Sequence, residues 1–454
     1  MSPVFERFVK QSPVTVMTRA LMERALDREV LDRLFRARAN AQYEKDLLFS
    51  MLVDVMSLVV CRVHPSVRKA YQALQAQIPV SLSALYAKLN GVEVGTSEAL
   101  VADCAERLRP VLCALGAPTT PWLPGYRIKT LDGNHLAATE HRIDVLRDCA
   151  AGPLPGQALV VFEPEIGLAT QMVGCEDGHA QERSLLDPVL AGVCANDVYI
   201  ADRNFCTLRF LHEIAKSDGF FVIRQHASMP VTITGKLRRK GRTDSGILFE
   251  QDALVRLGDR ELRVRRIVIR LDVPTRDGAT ELSILTNLPK AAAKAATVAD
   301  LYRRRWTIES FFGRVERDLQ SEICTLGYPS AALFAFAVAL VAANIFSATQ
   351  TAMVCTQQVH ADPKVREMPI SDLAVVEEVR SVHRGMAIVV PDEDWQPFQT
   401  MPPKRFAKSL IGWARNIRWE PFRKAVRGPK RPRAKRSRYL NTPHVSTARL
   451  LLGG

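Results

Sequence analysis

The chain has 454 residues, 47% of them hydrophobic and 24% charged, with a net charge of +14. That length and apolar content exclude a disordered chain or a minimal disulfide-stapled module, and leave room for two or more hydrophobic cores. The charge excess sits at one end: residues 401–454 hold 15 Lys and Arg against one acid, Glu420, so residues 1–400 balance at 47 of each sign.

Nine cysteines, an odd count with no Cys-x-x-Cys pair and no Cys/His set at zinc-ligand spacing, predict reduced thiols and a cytoplasmic protein. Met1 to Gln11 carries both charge signs and does not read as a secretory signal. The most apolar stretch, Ala331 to Ala343, stops at Asn344 and is too short to span a bilayer, so a buried helix is expected there and no membrane partner.

Residues 1–121 form the first expected domain, a helical one. Leu48, Met51, Leu52, Val55, Met56 and Val59 recur at helical period. Ser81 to Gly91, followed by a second helix from about Ser97, has two readings: a DNA-binding helix-turn-helix, or a pair within a bundle, which is preferred. Pro118, Pro121 and Pro124 mark the boundary.

Residues 122–226 predict strands at about 126–132, 157–163 and 168–174, a helix near 183–194, a strand at 197–201, a helix at 207–217 and a strand at Phe220 to Arg224. Residues 227–298 are expected to be a β-rich insertion, with strands around 231–234, 247–249, 262–271 and 282–285. The apolar phase changes at Arg265-Arg266, as a β-bulge would cause; these arginines read equally as DNA-facing or as a solvated sheet face. Residues 299–350 return to helix, and 351–454 form a C-terminal region with a basic tail.

Three acids stand out along this order. Asp132 and Asp202 each close a short run rich in β-branched and aromatic residues and precede turn-forming or polar ones, which predicts two strand ends. Tyr302, Arg305, Glu309, Phe312 and Glu316 recur every three or four residues and predict one face of a single helix, with Thr297 and Asp300 as its capping pair. Three carboxylates brought together resist ionisation unless cations neutralise them. Two Mg²⁺ or Mn²⁺ ions roughly 3.5–4 Å apart would do so and would serve an in-line phosphoryl displacement.

The run Tyr302-x-x-Arg305-x-x-x-Glu309 resembles the signature of the DDE-type transposases of bacterial insertion sequences, specifically those whose ribonuclease-H-like core is interrupted by a β-rich insertion. Leu131-Asp132-Gly133 and Ala201-Asp202-Arg203-Asn204-Phe205 resemble that family's two aspartate segments, and Leu285 to Pro289 the stretch leading to its third carboxylate. The resemblance covers roughly residues 120–350. It implies an α/β fold with a ribonuclease-H-like mixed sheet, a β-strand insertion domain and an N-terminal helical domain. The strand and helix order of residues 122–226 agrees with it independently.

For function, the resemblance implies metal-dependent cleavage at element ends and strand transfer into target DNA, by cut-and-paste. Asp132, Asp202 and Glu309 would be the catalytic metal ligands, and Tyr302 and Arg305 contacts to DNA phosphates. The expected partners are double-stranded DNA and a second copy of the chain in a synaptic complex, and the setting a DNA-associated bacterial cytoplasm. A ribonuclease-H-like nuclease without strand transfer and an inactive DNA-binding descendant are the alternatives. One position departs from the family: Glu316 stands where a Lys or Arg usually grips the terminal phosphate. Either the grip has moved to Arg314 or Arg317, with Arg317 the expected contact, or end binding is impaired. The tail cations Lys430, Arg431, Arg433, Lys435 and Arg436 are expected to bind DNA without sequence preference and in a salt-dependent way.

Overall fold

The computed structural model describes residues 1–42, 44–116, 120–275, 277–425 and 443–453. Its centre is a ten-stranded mixed sheet. The strands are β1 (Arg127–His135), β2 (Gln157–Glu163), β3 (Leu168–Cys175), β4 (Asp197–Ala201), β5 (Phe220–Arg224), β6 (Thr232–Ile233), β7 (Arg238–Thr243), β8 (Gly246–Leu257), β9 (Arg260–Leu271) and β10 (Glu281–Thr286). They lie in the order β3-β2-β1-β4-β5-β10-β9-β8-β6, with β7 also paired to β8. β1 runs antiparallel to β2 and parallel to β4, and β4 parallel to β5. β2 and β4 are buried along their whole length, as expected of strands covered on both faces.

The strands of residues 227–298 continue this sheet, because β10 pairs antiparallel with β5, Ile284 opposite Arg224. β8 and β9 pair without interruption from Arg260↔Leu257 to Leu271↔Gly246, so the expected bulge at Arg265 is absent. The phase change has another cause. Arg265 points inward, where its guanidinium donates to Glu250 (2.8 Å) and to the carbonyls of Leu288 and Ala293, while Arg266 on the other face meets Gln225 and Ser283.

Among the described residues, seven helices precede the sheet: α1 (Pro3–Gln11), α2 (Pro13–Ala25), α3 (Arg28–Arg38), α4 (Phe49–Val60), α5 (Val67–Ala73), α6 (Leu82–Asn90) and α7 (Val94–Leu115). Within the sheet region α8 (Leu186–Ala191) and α9 (Leu208–Lys216) cover one face, burying Val189, Phe210, Leu211 and Ile214 against Leu159, Val161 and Tyr199. The other face receives α10 (Ala295–Arg303), α11 (Trp306–Asp318) and α12 (Pro329–Gln358).

α12 is long and apolar enough to cross a bilayer, but it lies inside the protein, packed by α2, α4, α7, β3 and the C-terminal helix Pro403–Ala414. Pro329 opens it with a preset φ and no orphaned N–H. A buried amide in its middle is used: Asn344 accepts from the Ala169 N–H and donates to the Ala169 carbonyl, both at 2.8 Å, satisfying a residue of edge strand β3. α6 and α7 meet at a short turn, as the sequence predicts, but α7 buries Leu100, Val101, Leu108 and Val111 among these helices and is a core element.

Candidate active site

Leu131 of β1 lies opposite Ala201 of β4, so Asp132 and Asp202 occupy the next step on adjacent parallel strands. Asp132 is not a strand end, since β1 runs on to His135; Asp202 is, capping the short helical turn Arg203–Phe205 by accepting from the Asn204 N–H at 2.7 Å. The third acid comes from α11. Ile308, Phe311 and Val315 form its buried stripe, and Phe311 stacks on Phe162 of β2 with ring centres 4.5 Å apart. That packing turns Glu309, Phe312, Gly313 and Glu316 toward a cavity of about 310 Å³, which Asp132 also lines.

The expected single helix is two. α10 ends at Arg303 and α11 begins at Trp306, with Arg304 and Arg305 in a turn, so Tyr302 belongs to the first segment and Glu309 to the second. Thr297 and Asp300 do not cap; Lys294 stands at the N-cap, and Asp300 instead binds Arg303 and Arg304 at 2.6 and 2.8 Å.

Arg305 joins the acids. Its Nη1 is 3.2 Å from Asp132 Oδ2 and its Nη2 is 2.7 Å from Glu309 Oε1. The side chain is largely buried, and Nε is enclosed without a partner. Tyr302 lies within electrostatic reach of Arg305, Arg224 and Asp202. Burial pushes the Asp132 carboxyl up to about 7; the Asp202 and Glu309 charges add to this, while Arg305 and the Gly133 N–H oppose it.

Among the described residues, no three Asp, Glu, His or Cys side chains stand close enough as placed to hold one ion together. The donor set nevertheless suits Mg²⁺, because all three groups offer hard carboxylate oxygens. The space between Asp132 and Glu309 already takes a cation, the Arg305 guanidinium.

The flanking cations lie elsewhere. Arg317 is bound to Asp318 through two bonds of 2.6 Å and approaches Asp372, as Arg314 does; neither lines the cavity, which Glu316 does. A residue from the N-terminal helices comes closer: Arg62 donates to the carbonyls of Glu316 and Leu319 at the end of α11 and lines an adjoining cavity. Lys430, Arg431, Arg433, Lys435 and Arg436 fall outside the described residues. Among the described residues that follow, His444–Ser446 pair with Gly152–Leu154 and Arg449 with Asp177 at 2.8 Å.

Two further neighbours escape a sequence reading. Glu182 packs over Gly133, where any Cβ would strike its carboxylate, and receives the Asn204 side chain at 3.5 Å. Trp306 is 62% exposed with Arg305 over its ring at 5.5 Å. For Trp306 the signal was present, an aromatic amid three arginines; Glu182 has no local signal.

Residues 157–345 match a family described as the transposase DDE domain. Over this segment the chain is similar to DDE-type transposases of insertion sequences. A protein of Sinorhizobium fredii named as transposase y4zB is 34% identical over 125 residues, 27% of this chain and 34% of that relative. A Geobacillus stearothermophilus protein named as the transposase of insertion sequence element IS5377 is 30% identical over 128 residues, 28% of this chain and 32% of its own length. The chain thus spans about a third of the curated relatives it matches. The matched domain contains Asp202 and Glu309 and begins after Asp132.

Proposed function

We propose that this chain is a metal-dependent DDE transposase with a ribonuclease-H-like catalytic core, which cleaves DNA at element ends and joins the freed 3′-hydroxyl to target DNA by cut-and-paste. The carrying observation is the Arg305 bridge between Asp132 of β1 and Glu309 of α11, with Asp202 at the step beside Asp132 on the adjacent parallel strand. The order β3-β2-β1-β4-β5, with three antiparallel strands followed by two parallel ones, supports the ribonuclease-H-like reading.

In this reading Asp132, Asp202 and Glu309 hold two Mg²⁺ or Mn²⁺ ions, which supply an activated oxygen nucleophile and a stabilised leaving oxygen. Arg305 keeps Asp132 and Glu309 together before DNA arrives and turns to a phosphate oxygen once they are otherwise neutralised, a geometry its two-pronged guanidinium suits. Tyr302 steadies Arg305, and exposed Trp306 gives the strand a surface to lie against. The tail adds unspecific affinity. Synapsis of two ends uses a homodimer on double-stranded DNA, in the cytoplasm.

The test is nicking and joining of duplex carrying the element's own terminal repeats, with Mg²⁺ or Mn²⁺. Activity is expected in the native protein and lost in folded, DNA-binding Asp132→Asn, Asp202→Asn and Glu309→Gln variants. Cleavage without joining would instead establish a nuclease, and DNA binding without cleavage an inactive descendant.

A further inference from the structure

Helix α4 ends at Val60, and the residue after its cap, Arg62, has a φ of 58°. Glycine is usual at such a left-handed helix end, because a Cβ there crowds the neighbouring carbonyl. Among the described residues, the other two side chains on left-handed backbone belong to Asn196 and Asp218, types that adopt it readily. Arginine has no such tolerance, so the reason for one here lies in what its side chain does.

The guanidinium reaches the far end of α11. Its Nη2 donates to the Leu319 carbonyl at 3.0 Å and the Glu316 carbonyl at 3.5 Å, groups of the kind a helix leaves unpaired at its C-terminus. The exchange is mutual. The Gln320 N–H, which would have bonded Glu316 had the helix continued, donates instead to the Val60 carbonyl in the last turn of α4, at 2.8 Å. Helix α11 is thus tied at both ends: Arg305 joins Glu309 to Asp132 at its start, Phe311 stacks on Phe162, and α4 holds its finish. Glu309 and Leu319 lie roughly 15 Å apart along the axis. When Arg305 turns to a phosphate, the first tie is lost, and a helix loose at its other end could turn or slide about the Phe311 contact and carry Glu309 with it.

We propose that Arg62, from the N-terminal helices, is a positioning residue for the reaction: it grips the end of α11 and so keeps Glu309 against β1 through the step in which Arg305 lets go. The strained backbone at 62 is tolerated because only a long forked side chain at that turn reaches both carbonyls. The proposal rests on the catalytic reading of Glu309.

The experiment uses the full-length chain with two substitutions that suit left-handed backbone but reach neither carbonyl, Arg62→Gly and Arg62→Asn. With Mg²⁺ and saturating duplex carrying the element's terminal repeats, each should lower the cleavage rate about 10-fold or more, because a small misplacement of a reacting group is costly to rate. Without metal, affinity for the same duplex should stay within about 2-fold of native. The unfolding midpoint should stay near the native value, relief of the backbone offsetting the lost hydrogen bonds. Hydrogen exchange of residues 312–322, measured without metal or DNA, should quicken. Arg62→Lys, which keeps the charge without the fork, should recover part of the rate. A native rate in both Arg62→Gly and Arg62→Asn, or unchanged exchange of residues 312–322, overturns the proposal. So does a loss of affinity as large as the loss of rate, which would make Arg62 a DNA contact. Failure of the catalytic reading shows differently, as cleavage that persists in Glu309→Gln.

Discussion

Arg305 spans Asp132 and Glu309, one nitrogen 3.2 Å from the first and the other 2.7 Å from the second, and so ties strand β1 to helix α11. One guanidinium offsets two carboxylates that would otherwise repel each other. Removing it leaves Asp132, largely buried, and the more exposed Glu309 without a counter-charge, and an uncompensated buried charge is what makes an ion pair costly to break.

Arg305→Ala should therefore lower the stability of the metal-free protein by about 1–3 kcal/mol. Added Mg²⁺ should recover more stability in the variant than in the native chain, since it supplies the missing charge. Thermal unfolding with and without Mg²⁺ reads both effects. Equal metal-free stabilities would show that the bridge contributes nothing. Arg305→Lys should fail to restore the native value, because one ammonium cannot reach both acids in the same geometry.

Arg265 tests the sheet. It is buried with Glu250 and two carbonyls, so Arg265→Ala should cost about 3–5 kcal/mol, read as a lower urea midpoint with little change in DNA affinity. Loss of DNA affinity at unchanged stability would return this arginine to the DNA-facing role that its charge suggests.

His383 gives a pH dependence. Burial, with Arg19 nearby, holds its pKa down to about 4, below the ordinary value of 6.5. The unfolded chain then binds the proton more readily, so this contribution to stability is complete above about 6.5 and is lost as pH falls toward 4. His383→Gln should flatten the fall of the unfolding midpoint across that window. An unchanged slope would assign it to carboxylates instead.

Arg317 and Glu316 should separate. With Arg317 bound to Asp318 and near Asp372, Arg317→Ala should cost about 1 kcal/mol of stability and leave binding of cleaved DNA ends within about 2-fold. Glu316→Lys, on the cavity side, should bind those ends equally or more tightly. Several-fold weaker binding by Arg317→Ala would restore it as the phosphate contact.

The basic tail is better tested by neutralisation than by truncation, since the residues after it pair with Gly152–Leu154. Replacing Lys430, Arg431, Arg433, Lys435 and Arg436 with Gln should reduce the slope of log affinity against log salt on random duplex by up to about 4. An unchanged slope would remove the tail from DNA binding.

Most strands were legible because short β-branched runs ended in turn residues, and Asp132 and Asp202 could be placed on such runs. β7 was not, because Arg238–Thr243 is an edge strand of exposed polar residues with no alternation to read. The break at Arg304–Arg305 was hidden by three arginines of equal helix preference, and only the carboxylates on β1 and α11 explain where the third points. Arg265 was misread because a charged residue in a strand signals solvent until its partners, 15 to 28 residues away, are known. The departure at Glu316 was visible, but Arg62 lies 254 residues earlier and no spacing rule connects them.

The central placement of α12 bears on how the chain is made. Helices α2, α4 and α7 complete their apolar surface only against residues 329–358, more than two hundred positions after α7 has left the ribosome. At about 5–20 residues per second, the early helices wait roughly 10–50 s with that surface uncovered. Synthesis that stops short of α12 should leave an insoluble or chaperone-held product, so the amount of working protein in a cell depends on how often translation reaches that helix.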